Sequence, residues 1–475
     1  EQYEKMTPML RRAAGFAALG GVLFGYDIGI ISGALLQLTP VFDLDGVKKE
    51  LVVSFMLIGA TLASISGGYI IDYFGRRKAI IINSLVFILG AVGLCTSINY
   101  EMLLVSRVIV GYGVALSAVA ECVYISEISP PSRRGTLVSL NELGVAFGIA
   151  LSYLVNYIFI STPNGWRYMF GLSVIPALVQ GVGMLWLPSS PRWLLLKGRR
   201  DEAMIALANF RGSDMGIPHE ALLEQELESV ATGISSKARM STLDLFRKPT
   251  LKKAMLISCT LITLQQFTGQ PNILFYGTTI FRQSGFDSDR EATLVNLALG
   301  VLKLLSTMFA LRKVDYLGRR KLLLAGTTAM LLSLLVLASV SAVYAPTSIA
   351  NQTRRFDEID MIDNADDDIY GRLLRNTQKR NPYDHLLFEY RELFGNPAAN
   401  VGGHGRTTRV GSATQHTETE RATVETEAPL VVKWVTLTML VVFIIAYAFS
   451  YGPISWLLLS ELFPDDIRAR AVVCL

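Results

Sequence analysis

One seven-residue motif occurs twice in the chain, each time between two long apolar segments. Residues 72–78 read DYFGRRK and residues 315–321 read DYLGRRK, so six of the seven positions are identical. A second motif, SEISP at residues 126–130, is echoed by SELFP at residues 460–464. The chain therefore contains a duplicated unit, and we expect its two halves to fold alike.

The composition indicates that this unit lies in a membrane. Hydrophobic residues make up 51% of the 475 positions and charged residues only 18%, which is too apolar for an ordinary soluble enzyme. An apolar helix of about 20 residues crosses the roughly 30 Å of bilayer hydrocarbon. This criterion predicts ten membrane helices, at residues 13–37, 51–71, 79–97, 102–125, 136–158, 168–187, 254–280, 292–314, 322–345 and 430–459. Repeated halves in a multi-span chain are typical of transporters.

The basic residues of the repeated motifs fall in loops on one side of this topology. The positive-inside rule then predicts a cytoplasmic N-terminus. We expect a multi-pass protein of the plasma membrane, with an endomembrane as the alternative.

The chain divides into three predicted regions. Residues 1–193 form a six-helix bundle, residues 194–252 a charged, helical cytoplasmic linker, and residues 253–475 a second bundle with helices 7–10. Residues 346–429 form a long polar loop on the predicted outside, which carries the glycosylation triplet Asn351-Gln352-Thr353. Symmetry with the first half requires two further helices beyond residue 475, so we expect the second bundle to be truncated here.

The residues give no support for catalysis. A nucleophile triad, metal-ligand spacing and a phosphate-binding loop are all absent from the sequence, and the four cysteines stand singly. We therefore predict no enzyme activity, no cofactor, no bound metal and no nucleic-acid partner.

Five motifs in order resemble the sugar porter family of the major facilitator superfamily, and the class III facilitative glucose transporters most closely. They lie at residues 68–78, 107–111, 188–192, 265–269 and 452–456. The resemblance implies an all-α integral membrane protein with the major facilitator fold of two pseudo-symmetric helical bundles. It also implies movement of a hexose or related polyol by alternating access, either facilitative or proton-coupled. One departure is Ser189, which replaces the Glu that the family usually carries after the sixth helix.

Asp27 lies in the middle of the first predicted helix, where an unpaired carboxylate costs several kcal/mol. In the family, proton-coupled members commonly carry Asp at the matching position and an Arg partner on the fourth helix, which corresponds to Arg107. We predict that these two residues couple transport to protons, and a permanent structural ion pair is the alternative. Glu121 is a further intramembrane acid, offset by about 40° from Arg107 on an ideal helix, and the sequence assigns it no role.

The resemblance also implies substrate-binding positions. Glu142 and Lys303 stand where relatives often carry amides, so we expect a compensated pair, with direct contact as one arrangement and a tether between the halves as the alternative to sugar binding. Pro271 should kink or break the seventh helix and so turn Asn272 into the cavity. The full predicted set is Gln265, Gln266, Asn272, Glu142, Lys303 and Trp456.

A last set of charged residues is expected to form a conformational gate. Repeated arginines lie beside repeated acids in the loop motifs, and pairs between the two halves would close the cytoplasmic side. The set comprises Arg76, Arg77, Glu127, Arg134, Asp315, Arg319, Arg320, Glu461 and Arg468.

A membrane sugar receptor that does not transport, or a truncated inactive carrier, remains the alternative function.

Overall fold

The computed structural model describes residues 7–130, 133–212, 217–235, 247–286, 288–340 and 430–452, with residues 342, 454, 455 and 458 beside them. The chain divides into two compact units, residues 1–334 with 433–475 and residues 335–432. In the second unit the described residues are chiefly helix ends, at 335–340 and 430–432. The features below belong to the first unit.

The first six predicted spans are all helical. They are α1 (Pro8–Val41), α2 (Gly46–Phe74), α3 (Arg76–Cys95), α4 (Tyr100–Ile128), α5 (Arg134–Phe159) and the consecutive helices α6 (Gly165–Gly171) and α7 (Val174–Leu185). Pro176 lies in the first turn of α7, where it cannot donate a backbone hydrogen bond to the preceding turn, and the helix is interrupted at Leu172–Ser173.

Three short helices follow and form the linker: α8 (Pro191–Leu196), α9 (Arg200–Arg211) and α10 (Ile217–Ser235). They share a small apolar core that includes Trp193, Leu207 and Leu227. The Thr7 hydroxyl donates to the carbonyl oxygen of Phe210 at 2.7 Å. Arg211 donates to the carbonyl oxygen of Ile128 at 2.9 Å. The linker is therefore bound to the start of α1 and the end of α4.

The later spans are α11 (Pro249–Phe267), α12 (Gln270–Gln283), α13 (Asp289–Leu317), α14 (Arg319–Val340) and α15 (Leu430–Phe449). Among the described helices, nine are long and apolar enough to cross a membrane. The predicted span 254–280 is not one of them, because it is broken into α11 and α12. The break lies at Thr268–Gly269, where Gly269 has φ +81°.

Two glycine turns connect the repeated motifs to their helices. Gly75 has φ +84° and Gly318 has φ +81°, a region that other residues enter only with strain. At Gly75 a side chain would also collide with the Trp193 ring, 2.8 Å from the expected Cβ position. Both copies of the motif therefore turn at a glycine with positive φ.

Helices α1 and α5 pack with their backbones in direct contact. A Cβ atom on Gly25 would lie 2.0 Å from the carbonyl oxygen of Val145, and one on Gly29 would lie 2.0 Å from the Ser152 hydroxyl. The contact is reciprocal, since a Cβ on Gly148 would lie 2.1 Å from the carbonyl oxygen of Val22. Small residues on both helices thus let the two backbones meet.

Replacing Gly25 by Ala tests this packing. The added methyl group meets the α5 backbone, which cannot rotate away, so we expect G25A to lower the free energy of unfolding by roughly 1–3 kcal/mol. Thermal unfolding of the purified chain in detergent measures the effect.

Gly15→Ala is the matched control, because a Cβ at this position on the same helix meets nothing within 4 Å. We expect G15A to be neutral or slightly stabilising, since Ala favours the helix over Gly. Equal loss of stability in both variants would contradict the packing argument.

Candidate functional site

Asp27 and Arg107 form a buried ion pair within the first six helices. Asp27 on α1 is 3% exposed, and Arg107 on α4 is fully buried. Nη1 of Arg107 lies 3.0 Å from Oδ1 of Asp27. Nε of the same guanidinium donates to the carbonyl oxygen of Val52 on α2 at 3.2 Å. The pair therefore joins α1, α2 and α4 in the apolar interior.

Each partner of this pair keeps one unused polar atom. Oδ2 of Asp27 and Nη2 of Arg107 are buried without a hydrogen-bond partner among the described residues. The guanidinium carbon also lies 5.6 Å from the centre of the Phe170 ring, within range of a cation–π contact. A proton that adds to Oδ2 would displace no existing hydrogen bond, so protonation of this oxygen does not require the pair to separate first.

Glu142 on α5 and Lys303 on α13 approach a common space from the two halves. Their charges are close enough to interact, but the two described side chains form no contact ion pair. The Lys303 ammonium lies 5.6 Å from the centre of the Tyr447 ring. A Cβ on Gly452 would lie 3.5 Å from Oε1 of Glu142. Direct contact of the two charges is thus not the arrangement found, although Glu142 on α5 and Lys303 on α13 both lie near Tyr447 on α15.

Gln265 is the predicted binding amide that the protein encloses. It is 8% exposed, and its Nε2 donates to the Tyr447 hydroxyl at 2.9 Å and to the carbonyl oxygen of Tyr451 at 3.3 Å. Tyr447 therefore touches two predicted binding residues, Gln265 and Lys303. Tyr447 was not predicted from the sequence, although an aromatic hydroxyl within an apolar span is a signal for a buried polar contact.

The other predicted binding positions of this region differ from Gln265. Gln266, one residue further on α11, and Asn272, in the first turn of α12, are both exposed. Pro271 lies in that same first turn, where a missing N–H costs nothing. The break therefore comes before the proline, at Gly269, and leaves Asn272 outside any buried cluster of the described residues. Trp456 lies outside the described residues, as does the glycosylation candidate Asn351.

A polar seam joins the two halves beside this space; we define it as Ser32 (α1), Asn156 (α5), Thr278 (α12) and Asn296 (α13). The Thr278 hydroxyl donates to the carbonyl oxygen of Ser32. Nδ2 of Asn296 donates to the Ser32 hydroxyl at 3.1 Å, and Nδ2 of Asn156 donates to the carbonyl oxygen of Gly29 at 3.1 Å. All four seam residues are buried. The seam therefore holds α1 and α5 against α12 and α13.

A further bond and a closed crevice extend the seam towards Lys303. The Tyr153 hydroxyl donates to the carbonyl oxygen of Leu274 at 3.1 Å. Tyr153, Asn296, Gly300 and Lys303 line a crevice that leaves no water-sized space. Apart from Lys303, the residues of the seam and the crevice were not predicted from the sequence, although isolated Asn and Ser side chains in apolar spans signal buried hydrogen-bond partners.

The loop arginines of the first half contact groups of their own half. Nε of Arg76 lies 3.1 Å from Oε2 of Glu127, and its Nη1 lies 3.3 Å from Oδ1 of Asp72. The Ser190 hydroxyl donates to the same Glu127 oxygen at 2.5 Å. Nε of Arg77 donates to the carbonyl oxygen of Met184 at 2.9 Å.

The partners described for Arg76, Arg77 and Glu127 thus lie within the first half, and pairs between the halves stay a prediction for these residues. Arg134 and Arg319 also take part in polar or electrostatic contacts. Arg320 is exposed. The predicted gate residues Glu461 and Arg468, and the side chain of Asp315, lie outside the described part of the chain.

Comparison with known proteins gives a family match over most of the sequence. The family model described as "Sugar (and other) transporter" matches residues 13–353 and 417–475. The human protein "Solute carrier family 2, facilitated glucose transporter member 12" is 38% identical over 465 residues, which cover 96% of this chain and 74% of the relative. Member 10 from Xenopus laevis is 38% identical over 471 residues, covering 97% and 80%.

Solved structures share the fold. The partially occluded inward open conformation of the xylose transporter XylE from E. coli superposes with a TM-score of 0.67 at 25% identity, covering 98% of this chain and 90% of that one. The proton:xylose symporter XylE bound to 6-bromo-6-deoxy-D-glucose gives a TM-score of 0.67 at 26% identity, covering 98% and 84%. These matches confirm the predicted major facilitator fold.

The buried ion pair yields a stability prediction. Arg107→Ala leaves the Asp27 carboxylate buried without a cation, so we expect a loss of about 3–5 kcal/mol in the free energy of unfolding. Adding Asp27→Asn to R107A should restore part of this loss, because an amide needs no counter-ion. Thermal unfolding in detergent, with all variants compared at one pH, measures both effects.

Arg282→Ala provides the control for the loss of an arginine. Arg282 lies 2.9 Å from Asp289, but both side chains are substantially exposed. We expect this change to cost no more than about 1 kcal/mol. If D27N gives no rescue of R107A, the destabilisation does not come from the unpaired carboxylate.

Proposed function

The chain belongs to the sugar (and other) transporter family. We propose that it carries a hexose or a related polyol across the membrane by alternating access. We also propose that Asp27 couples this movement to protons. One observation carries the proposal: hydrogen-bonding and charged groups of both halves, Gln265, Glu142 and Lys303, converge around Tyr447, next to a seam that closes the halves together. Such a space between two bundles is where a carrier of this fold binds its substrate.

The chemistry of this space suits a polyhydroxylated ligand. A carboxylate such as Glu142 accepts hydrogen bonds from two neighbouring hydroxyls, and the Lys303 ammonium donates to a hydroxyl oxygen. The gap between the two charges leaves both with unused hydrogen-bonding capacity. The Gln265 amide both donates and accepts, and Tyr447 supplies a ring beside it. Gln266, Asn272 and Trp456 complete the proposed binding set.

The names of related proteins favour a sugar as this ligand. The human relative is named a facilitated glucose transporter, and the solved relative is described with a halogenated glucose bound. We extend that substrate class, a hexose or a close polyol, to this chain.

Proton coupling is proposed at the Asp27–Arg107 pair. Protonation at the free Oδ2 removes the negative charge of Asp27 and weakens its attraction to Arg107. The contact that this ion pair makes between α1 and α4 is then weakened. A solved relative is described as a proton:xylose symporter, which supports coupling within this fold. The intact ion pair then corresponds to the carrier without a bound proton, and the separated pair corresponds to the protonated carrier.

The two ends of the pathway use different contacts. The polar seam lies towards the end of α1 that is remote from the linker, and we propose that its hydrogen bonds break when the carrier opens on that side. The Arg76–Glu127 cluster lies at the linker end. We propose that it orders the first half there and joins the repeated arginines and acids of the second half in closing the cytoplasmic side.

We also propose that the carrier works in the plasma membrane with its N-terminus and linker in the cytoplasm. The clustering of Arg76, Arg134 and the charged linker at the end where α1 starts supports this orientation.

Uptake measurements test the function. We expect transporter-deficient cells that express the full-length protein to take up labelled glucose, galactose or inositol saturably, faster at acidic external pH, and to lose this advantage with an uncoupler. Asp27→Asn should abolish the stimulation of uptake by acidic external pH and its sensitivity to the uncoupler, because the amide cannot bind a proton.

Asp43→Asn is the matched control for this change of charge. Asp43 is exposed in a loop and has φ +46°, a conformation that Asn adopts readily. Unchanged pH dependence in D27N would refute coupling through this residue. Absence of uptake despite surface expression would favour a receptor instead of a carrier.

Exchange of the charges at Glu142 and Lys303 separates binding from tethering. We expect E142Q and K303Q each to raise the KM for sugar about tenfold, since a hydrogen bond to a charged group contributes about 1.5–3 kcal/mol. The double variant E142K/K303E should fold like the unmodified protein, because the two charges still compensate each other. Its KM for sugar should remain raised. Restoration of both would mean that the pair only tethers the halves.

A further inference from the structure

Glu121 is a second intramembrane acid, and the transport mechanism proposed above does not use it. It lies on α4 and is fully buried. Its Oε1 accepts a hydrogen bond from the Ser117 hydroxyl, one turn earlier on the same helix, and another from Nε2 of Gln180 on α7 at 2.6 Å. Its Oε2 is buried without a hydrogen-bond partner among the described residues. The two oxygens of one carboxyl group are thus treated differently by their surroundings.

Helix α1 covers the carboxyl group from the other side. A Cβ on Gly20 would lie 1.6 Å from Oε1 and 2.1 Å from Oε2 of Glu121, so the carboxyl group fills the volume that a side chain at position 20 would need. This close cover excludes water from the group. Glu121 therefore lies at the junction of α1, α4 and α7, well away from the ion pair that Asp27 makes seven residues further along α1.

The described surroundings bring no positive charge into contact with Glu121. The ionisable groups neighbouring Glu121 are the Cys122 thiol on α4 and the Glu142 carboxyl group on α5. Neither group is positively charged. Helix α1 contributes the backbone of Gly20, and its nearest acid, Asp27, is bound to Arg107.

The other two helices at this junction contribute only neutral groups. Helix α7 contributes Gln180, and α3 contributes Ser84, whose hydroxyl lies 3.2 Å from Oε1 of Gln180. Among the described side chains no lysine or arginine forms an ion pair with Glu121.

These features fit a neutral carboxylic acid and do not fit a carboxylate. A buried carboxylate without a cation pays a large desolvation penalty, and both of its oxygens require donors. In the neutral acid only the carbonyl oxygen is a strong acceptor, which matches two donors on Oε1 and none on Oε2. The remaining defect, one hydroxyl without an acceptor, is a smaller penalty than an unpaired buried ion.

We propose that Glu121 is a proton-binding site separate from the Asp27–Arg107 pair, occupied at neutral pH, and that its bound proton keeps α1, α4 and α7 packed. The proton forms the O–H bond at Oε2 and comes from water. When it is lost at alkaline pH, an unpaired charge remains against Gly20, and the junction loosens. The site itself stands apart from the proposed function, whereas its effect on uptake rests on that function.

Infrared spectroscopy of the purified full chain in lipid nanodiscs tests the site directly. We expect the carbonyl stretching band of a protonated carboxylic acid at neutral pH, and we expect E121Q to lose it. D27N and E142Q are the controls, and each should retain the Glu121 band. A spectrum in which E121Q removes no such band would overturn the proposal, whatever the outcome of the transport measurements.

Uptake as a function of pH tests the consequence. Gln keeps both hydrogen bonds of the neutral acid but cannot lose a proton. We therefore expect E121Q to transport within about twofold of the unmodified protein at neutral pH, and to lack the decline at alkaline pH that the unmodified protein and D27N both show. An alkaline decline that persists unchanged in E121Q would refute the effect on transport.

Glu121→Asp keeps the experiment decisive if E121Q does not reach the membrane. The shorter acid still binds a proton, so we expect an infrared acid band and an alkaline decline displaced along the pH axis. An aspartate variant without the band would overturn the proposal. Absence of uptake in every variant, with the band present only where position 121 is an acid, would refute the proposed function and leave the proton site standing.

Discussion

The contact between α1 and α5 is the constraint on which the site depends. Glycines on both helices remove the side chains that would otherwise separate them, so Gly25 and Gly148 allow backbone to meet backbone. In lipid no hydrophobic effect drives helices together, and close van der Waals packing takes its place. This contact fixes the position of Asp27 and Ser32 on one helix and of Glu142 and Asn156 on the other.

The described contacts within and between the halves differ in strength. Inside the first half, buried charge pairs such as Asp27–Arg107 are costly to separate, by several kcal/mol. Between the halves, the seam uses neutral hydrogen bonds, each with a net contribution of about 0.5–1.5 kcal/mol. A bundle held by the first kind of contact and closed by the second can move as a unit and reopen at modest cost. This ordering of energies is what alternating access requires.

Much of the fold follows from the sequence, because hydropathy and the repeated motif report local properties. The long apolar segments are helical, and the two copies of the repeated motif turn alike, at Gly75 and Gly318, with positive φ. Nη1 of Arg107 lies 3.0 Å from Oδ1 of Asp27, a pairing that the resemblance to the family implies. The position of the break in the seventh span was only approximate, since Pro271 is tolerated in a first turn and Gly269 sets the boundary.

Features that depend on the meeting of distant helices were harder to predict. The gap between Glu142 and Lys303 depends on the distance between α5 and α13, which no local pattern encodes. The same holds for Ser32 and Asn296, which are 264 positions apart and share a hydrogen bond. The internal partners of Arg76 likewise reflect how the end of α4 packs beside the turn at Gly75.

The seam also bears on how a sugar could influence the carrier that moves it. Opening the seam breaks the hydrogen bonds among Ser32, Thr278 and Asn296. Each polar group that loses its partner must then find a new hydrogen bond. Water can do this from one side of the membrane, but a sugar in the adjoining space carries several hydroxyl groups of its own. The ligand would then act as a local solvent for the parting surfaces, and a more fully hydroxylated cargo would lower the energy of the opened interface.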